Sequence, residues 1–201
     1  MRRVQRVALD AATQNYLTNR QADAAAKLQL GTLNPTDHWK ASRQTSAMKT
    51  VLAALQAMMG TQQRCMYCVD SHGCDIEHFR PKTDFQAWIY LWNNLLLCCT
   101  ECGRFKGNRF PMQGGEPLLL DPTIDEPWQY LDFDPTTGNI TARWNIASGG
   151  FQIKGEMTVD VLQLDQREAL AVGYQKTWRR LRAESPIFWK CRPKQMPSLP
   201  I

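Results

Sequence analysis

A chain of 201 residues, 43% hydrophobic and 21% charged, is ordinary for a globular protein and long enough for one domain with its own core, or for a small site with helical additions. It holds no apolar run near the ~18 residues of a membrane span, and Met1-Arg2-Arg3-Val4 leads into no secretory signal, so a cytoplasmic protein without a membrane partner is expected. The net charge of +5 fits a polyanionic partner without demanding one.

In chain order, residues 4–30 predict a helix rich in Ala, Leu and Gln, stopped at Gly31. Leu33 to Lys40, with Asn34-Pro35, predicts a loop. Residues 42–59 predict a second helix, capped by Ser42 and carrying Met48, Val51, Leu52, Leu55 and Met59 at helical spacing; Gly60 ends it. Residues 1–60 therefore predict a helical arm whose apolar stripe packs on the site or faces a partner. Residues 117–160 predict extended chain, with hairpin turns at Asp134–Asn139 and Ser148-Gly149-Gly150. A last helix is expected over about 160–184, with Val161, Leu162, Leu164, Leu170, Val172, Tyr174, Trp178 and Leu181 on its apolar face. Pro186, Pro193, Pro197 and Pro200 predict an irregular tail.

The chemistry is concentrated between Arg64 and Pro111. Seven cysteines, an odd number without an export signal, argue against a disulfide framework. Four of them form two C-x-x-C pairs, Cys65/Cys68 and Cys99/Cys102, which can close a tetrahedral zinc site. His72 is a spare zinc-ligand candidate, while Cys74, Cys98 and Cys191 read as ordinary small apolar residues. Residues 69–98, between the pairs, are longer than the usual zinc-ribbon spacing, so something is inserted there. The insert holds Asp75-Ile76-Glu77-His78-Phe79-Arg80, whose alternation predicts a short strand ended by Pro81. A histidine that deprotonates water beside a carboxylate that holds a divalent ion is what metal-assisted phosphodiester hydrolysis needs. Arg80, Lys82, Arg104, Lys106 and Arg109 form a basic set suited to phosphate contact. Trp88, Tyr90 and Trp92 alternate at period two and read as core or strand packing rather than base stacking.

These residues resemble the HNH (ββα-metal) endonucleases with a four-cysteine zinc site, and in particular the HNH subunit of Septu-type and related retron anti-phage systems. The likeness runs through Cys65-Met-Tyr-Cys68, Asp75-Ile-Glu-His-Phe-Arg-Pro-Lys82, Trp92-Asn-Asn-Leu95, Cys99-Thr-Glu-Cys102-Gly-Arg-Phe-Lys-Gly107 and Phe110-Pro111. Softer similarity extends through Leu118–Pro122, Phe133-Asp134, Thr137–Ile140 and Thr158–Arg167. The resemblance implies an α+β fold: a zinc-stapled ββα-metal core over 61–115, the helical arm of 1–60 before it, and a β-hairpin region with a C-terminal helix over 116–201, packed with the core.

It further implies His78 as general base, Glu77 as acidic ligand of a catalytic Mg²⁺ or Mn²⁺, Asn94 as the brace of the loop that orients the histidine, and structural Zn²⁺ on the cysteines. Lys106 would face phosphate. In the family, the position after the last cysteine carries His or Asn as a second metal ligand; here it is Gly103, so Asp75, Asn108 or water would complete the shell. The implied function is a DNA endonuclease beside an SMC-like ABC-type ATPase, with residues 4–59 and the tail after 184 as docking segments. The competing expectations are a catalytically weak nucleic-acid-binding or scaffold subunit, and an RNA (tRNA) endonuclease.

Overall fold

The computed structural model describes residues 1–184; the proline-rich tail and Cys191 lie outside the described residues. Its centre is an antiparallel pair, β1 (Asp75–His78) and β2 (Leu95–Cys98), with Asp75 opposite Cys98 and His78 opposite Leu95. Helix α4 (Thr100–Lys106) follows β2 with a single residue between, Cys99, which serves as its N-cap. Every residue of β2 is buried, so this strand is the floor of the core; β1 alternates, with Ile76 and His78 buried and Asp75 and Glu77 on the more open face. The connector between the strands is a 16-residue excursion only in sequence terms (79–94); in space it is folded into two 3₁₀ turns, Gln86–Trp88 and Trp92–Asn94.

Three helices precede this unit: α1 (Ala11–Gln29), α2 (Pro35–Arg43) and α3 (Ser46–Met58). Three expectations are corrected here. The first helix starts at 11 rather than 4, because Asp10 caps it by accepting from Thr13 N at 2.9 Å. The expected loop at 33–40 is largely helix, because Asn34 accepts from the amides of Thr36 and Asp37 while Pro35 occupies the first helical turn. Ser42 is therefore not a cap but a buried residue of α2, and Thr45 caps α3. The stripe of Met48, Val51, Leu55 and Met59 is buried in the common core.

A buried polar network fixes α2 to its neighbours. His38 bonds Asp23 of α1 through Nε2 (2.8 Å) and the Tyr90 hydroxyl through Nδ1 (2.8 Å), and Ser42 Oγ pairs with the same hydroxyl at 2.8 Å. Tyr90 is thus a core residue as expected, but it lies between the 3₁₀ turns rather than on a strand, and Trp88 is partly exposed.

After the core come three small hairpins: β3 (Met112–Gln113) with β4 (Glu116–Pro117), β5 (Leu131–Phe133) with β6 (Ile140–Ala142), and β7 (Trp144–Asn145) with β8 (Gly150–Phe151). The last two close over the turns expected at 134–139 and 148–150. The single C-terminal helix is corrected to two, α5 (Ile153–Leu162) and α6 (Glu168–Glu184). The break falls at Gln163, which is left-handed at φ 49° and cannot continue a right-handed helix. Among the described residues no helix is long and apolar enough to cross a membrane.

Candidate active site and metal centre

Cys65, Cys68, Cys99 and Cys102 are buried, and their sulfurs all lie within 4.8 Å of one another. The two pairs arrive from different elements: the first from the turn after α3, the second from the start of α4. The Cys68 and Cys99 sulfurs are 3.9 Å apart. A zinc ion with Zn–S bonds of about 2.3 Å needs tetrahedron edges of about 3.8 Å, so the four donors fit that ion. Without a cation, the Cys102 thiol is pushed far up by its hydrogen bonds to Cys65, Cys68 and Cys99; a divalent ion removes the conflict by stabilising the thiolates. His72 is exposed and outside this group. Of the remaining cysteines, Cys98 is buried as expected, whereas Cys74 is exposed, its sulfur 3.6 Å from the Thr100 hydroxyl.

Beside this centre a cleft of about 260 Å³ is lined by Trp39, Arg43, Asp75, Glu77, His78, Lys82, Gly103 and Asn108, among others. Four of the residues expected at the site, Asp75, Glu77, His78 and Asn108, thus share one cavity. His78 is 5% exposed, its ring against the Trp39 indole at 4.3 Å. Its Nε2–H donates to the Ile89 carbonyl at 3.0 Å, which leaves Nδ1 as the lone-pair nitrogen. Burial, with smaller contributions from Lys82 and Lys106, lowers its pKa to about 3, so the ring is neutral at physiological pH. Glu77 is driven upward by burial against the opposing pull of Lys106. Glu77 Oε1 accepts from Lys106 Nζ at 3.0 Å, while a β-carbon built on Gly103 would lie 3.6 Å from Oε2. The position without a side chain therefore faces the carboxylate oxygen that Lys106 leaves open.

Asn94 is 1% exposed and outside the cleft lining. Its side chain donates to the carbonyls of Arg80 (3.1 Å) and Trp88 (2.9 Å) and accepts from the Arg80 amide (2.7 Å). It thereby ties both ends of the 80–88 segment, one residue short of the Ile89 carbonyl that orients His78.

Lys106 does not face phosphate. It is fully buried and donates to Glu77 Oε1 and, at 2.7 Å, to the His78 carbonyl; burying an ammonium is tolerable only with such partners. Arg109 is spent on the carbonyls of Phe105 and Val161. Arg80 sits over the rings of Phe85, Trp88 and Phe110 at 4.7–5.5 Å. Lys82 lines the cleft and Arg104 is exposed, so these two of the expected basic set remain open to an anion.

Three participants escaped the sequence reading. Trp39 and Arg43 come from α2, Trp39 in the segment read as loop and Arg43 just inside the helix expected over 42–59. Arg43 reaches both Asp75 oxygens through one nitrogen, at 2.8 and 2.7 Å. Arg167, between α5 and α6, donates to Cys102 Sγ at 3.2 Å and pairs with Glu101, offsetting thiolate charge from outside the ligand set. The only available signal was its place at the end of the softer likeness over Thr158–Arg167.

Comparison with known proteins finds similarity over about half of this chain. The chain is 30% identical over 115 residues to the Septu protein PtuB of Bacillus thuringiensis, covering 55% of this chain and 40% of that one. It is 33% identical over 137 residues to the Septu protein PtuB of Bacillus mycoides, covering 52% and 44%. It is also 29% identical over 133 residues to the Septu protein PtuA of Bacillus mycoides, covering 51% and 18%. The chain is thus homologous to Septu PtuB and PtuA proteins and spans less than half the length of these relatives. No protein-family model matches it.

Proposed function

We propose that this chain is an HNH-type, metal-dependent endonuclease acting on DNA, and the effector nuclease of an anti-phage defence complex with an SMC-like ABC-type ATPase. The observation that carries the reading is the gathering of His78, Glu77, Asp75 and Asn108 in one cleft, on a strand pair and helix pinned by the cysteine cluster. The likeness to both PtuB and PtuA proteins supports a place in such a complex. Homology alone does not carry an activity; the support for this reading comes from the residues gathered in the cleft.

In this reading His78 takes the proton of the attacking water at Nδ1. Its other nitrogen is committed to the Ile89 carbonyl, and Asn94 holds that segment still. Burial keeps the ring unprotonated at neutral pH and at the same time makes it a weak base, so the proton it takes must be stabilised by the anionic phosphate beside it. Glu77 presents Oε2 to a hard cation, with Asp75 and Asn108 as further oxygen donors in the same cleft. Mg²⁺ accepts one or two carboxylates and water for the rest of its shell, so the missing side chain at Gly103 is compatible with binding. When bound, that ion supplies Lewis-acid charge at the scissile phosphate. Lys82 and Arg104 face the phosphate backbone, and zinc on the cysteines holds the scaffold without entering the chemistry.

The zinc-loaded chain, alone and co-purified with its ATPase partner, is expected to cut DNA when Mg²⁺ or Mn²⁺ is added, and His78→Ala to abolish cutting with zinc content unchanged. Cutting retained in that variant overturns the assignment of His78 as base. DNA and tRNA compared under identical conditions decide the substrate.

One observation favours a second reading, a zinc-dependent nucleic-acid-binding or scaffold subunit: both cleft carboxylates already carry a protein cation, Arg43 on Asp75 and Lys106 on Glu77. Calorimetric titration with Mn²⁺ separates the two. A site beyond zinc supports the enzyme; its absence with nucleic-acid affinity intact supports the binding subunit.

A further inference from the structure

We infer that Arg43, delivered by α2, is a further phosphate-contacting residue of this cleft, and that its pair with Asp75 is the resting partnership that a nucleic-acid phosphate displaces. The inference rests on the cleft being a nucleic-acid site, as proposed above, but not on its being catalytic.

The geometry of the pair carries the argument. An arginine that is fully committed to a carboxylate uses two nitrogens in parallel, fork to fork. Here a single terminal nitrogen is shared between the two Asp75 oxygens. Nε and Nη1 make no hydrogen bond among the described residues, but both two-point edges of a guanidinium include Nη2, the nitrogen that Asp75 holds, so an oxyanion gains a full fork only by taking Nη2 from Asp75. Both side chains are close to half-exposed, 48% and 42%, and a solvent-screened pair in that setting is worth little. A phosphodiester that brings two oxygens to Arg43 therefore exchanges a one-nitrogen contact for a fork, with little to displace.

The surroundings fit the same ligand. Arg43 and Lys82 line one cleft with Gly103 and Gly107, where no side chain stands in the way of a backbone. Of the other basic residues near the cleft, Lys106 is occupied by Glu77, Arg109 by carbonyls and Arg80 by rings, while Arg104 is exposed beside the Phe105 ring. Asp75, once released, is an additional oxygen donor next to Glu77. Phosphate and a divalent ion would then bind with positive coupling, each removing the other's competitor.

The test is binding of fluorescein-labelled DNA and RNA oligonucleotides, without added divalent ions, as a function of salt. Zinc content and circular dichroism are checked for each variant. Arg43→Gln is expected to weaken binding about five- to tenfold and to reduce the salt slope by about 1. Arg43→Lys keeps the charge and loses the fork, so it is expected to retain the slope with intermediate affinity. Asp75→Asn is expected to tighten binding, and Arg43→Gln/Asp75→Asn to bind no better than Arg43→Gln alone. An unchanged slope in Arg43→Gln, weaker binding in Asp75→Asn, or no oligonucleotide binding by the unaltered chain overturns the inference. Loss of the nuclease reading through His78→Ala leaves these binding results intact, so the two failures are distinguishable.

Discussion

Lys106 Nζ lies 3.0 Å from Glu77 Oε1 and 2.7 Å from the carbonyl of His78, with no part of the lysine exposed. One ammonium at the end of α4 thus sets both the carboxylate and the backbone of the two adjacent residues on which the proposed chemistry depends.

Lys106→Met removes the charge and keeps the volume. It leaves Glu77 with an uncompensated carboxylate and is expected to cost about 2–3 kcal/mol by chemical denaturation of the zinc-loaded protein, below the figure for a wholly buried pair because Glu77 keeps 21% of its side chain exposed. Lys106→Met/Glu77→Gln should recover part of the loss. Equal stability of Lys106→Met and the parent would show the pair to be idle.

Removal of zinc should unfold the centre. Cys65→Ser, or treatment with a strong chelator, is expected to shift the thermal transition down by ten degrees or more, on the order of a lost structural metal in a small domain. One zinc per chain by elemental analysis, falling to none in the variant, checks the stoichiometry. A variant that keeps both metal and melting temperature would place the ion elsewhere.

His78 gives a pH dependence whose sign follows from its burial. Its folded pKa is lowered to about 3, against about 6.5 in an unfolded chain. Between those values the unfolded state binds a proton that the folded state refuses, so this residue's contribution is full above about pH 6.5 and declines as pH falls towards about 3. By NMR its ring should stay neutral, with the proton on Nε2, from pH 8 to pH 5. A midpoint near pH 6 would contradict the buried, carbonyl-bonded geometry.

Gly103 offers a gain-of-function test. A β-carbon there meets Glu77 Oε2 at 3.6 Å and Cys98 Sγ at 3.8 Å, ordinary contact distances. Gly103→His or Gly103→Asn is therefore expected to fold and to tighten Mn²⁺ binding about tenfold, the order of one added ligand or outer partner, measured calorimetrically. Unchanged affinity would mean that Glu77 Oε2 is not where a divalent ion sits.

Much of the centre was legible because its signals are local. Two C-x-x-C spacings give the sulfur cluster, the alternation through Asp75–His78 gives β1, and the turns at 134–139 and 148–150 give two hairpins. The misses have two causes. Asn34-Pro35 is read as a breaker by composition but acts as a helix start, since a capping oxygen and a fixed φ suit the first turn. Long-range partners leave no local trace: the pairing of Lys106 with Glu77, of Arg43 with Asp75 and of Arg167 with Cys102 is set only when distant segments meet. Residues 4–10 resembled helix by composition until the Asp10 cap decided the start, and Gln163 gave no warning of its left-handed backbone.

The indole of Trp39 forms one wall against His78, and the same short helix holds Arg43 and, through His38, reaches α1 and Tyr90. The wall of the cleft is therefore mounted on the helices before the strand pair, while its floor is mounted beside the sulfur cluster, so Trp39 and Arg43 share one support that the cysteines do not supply.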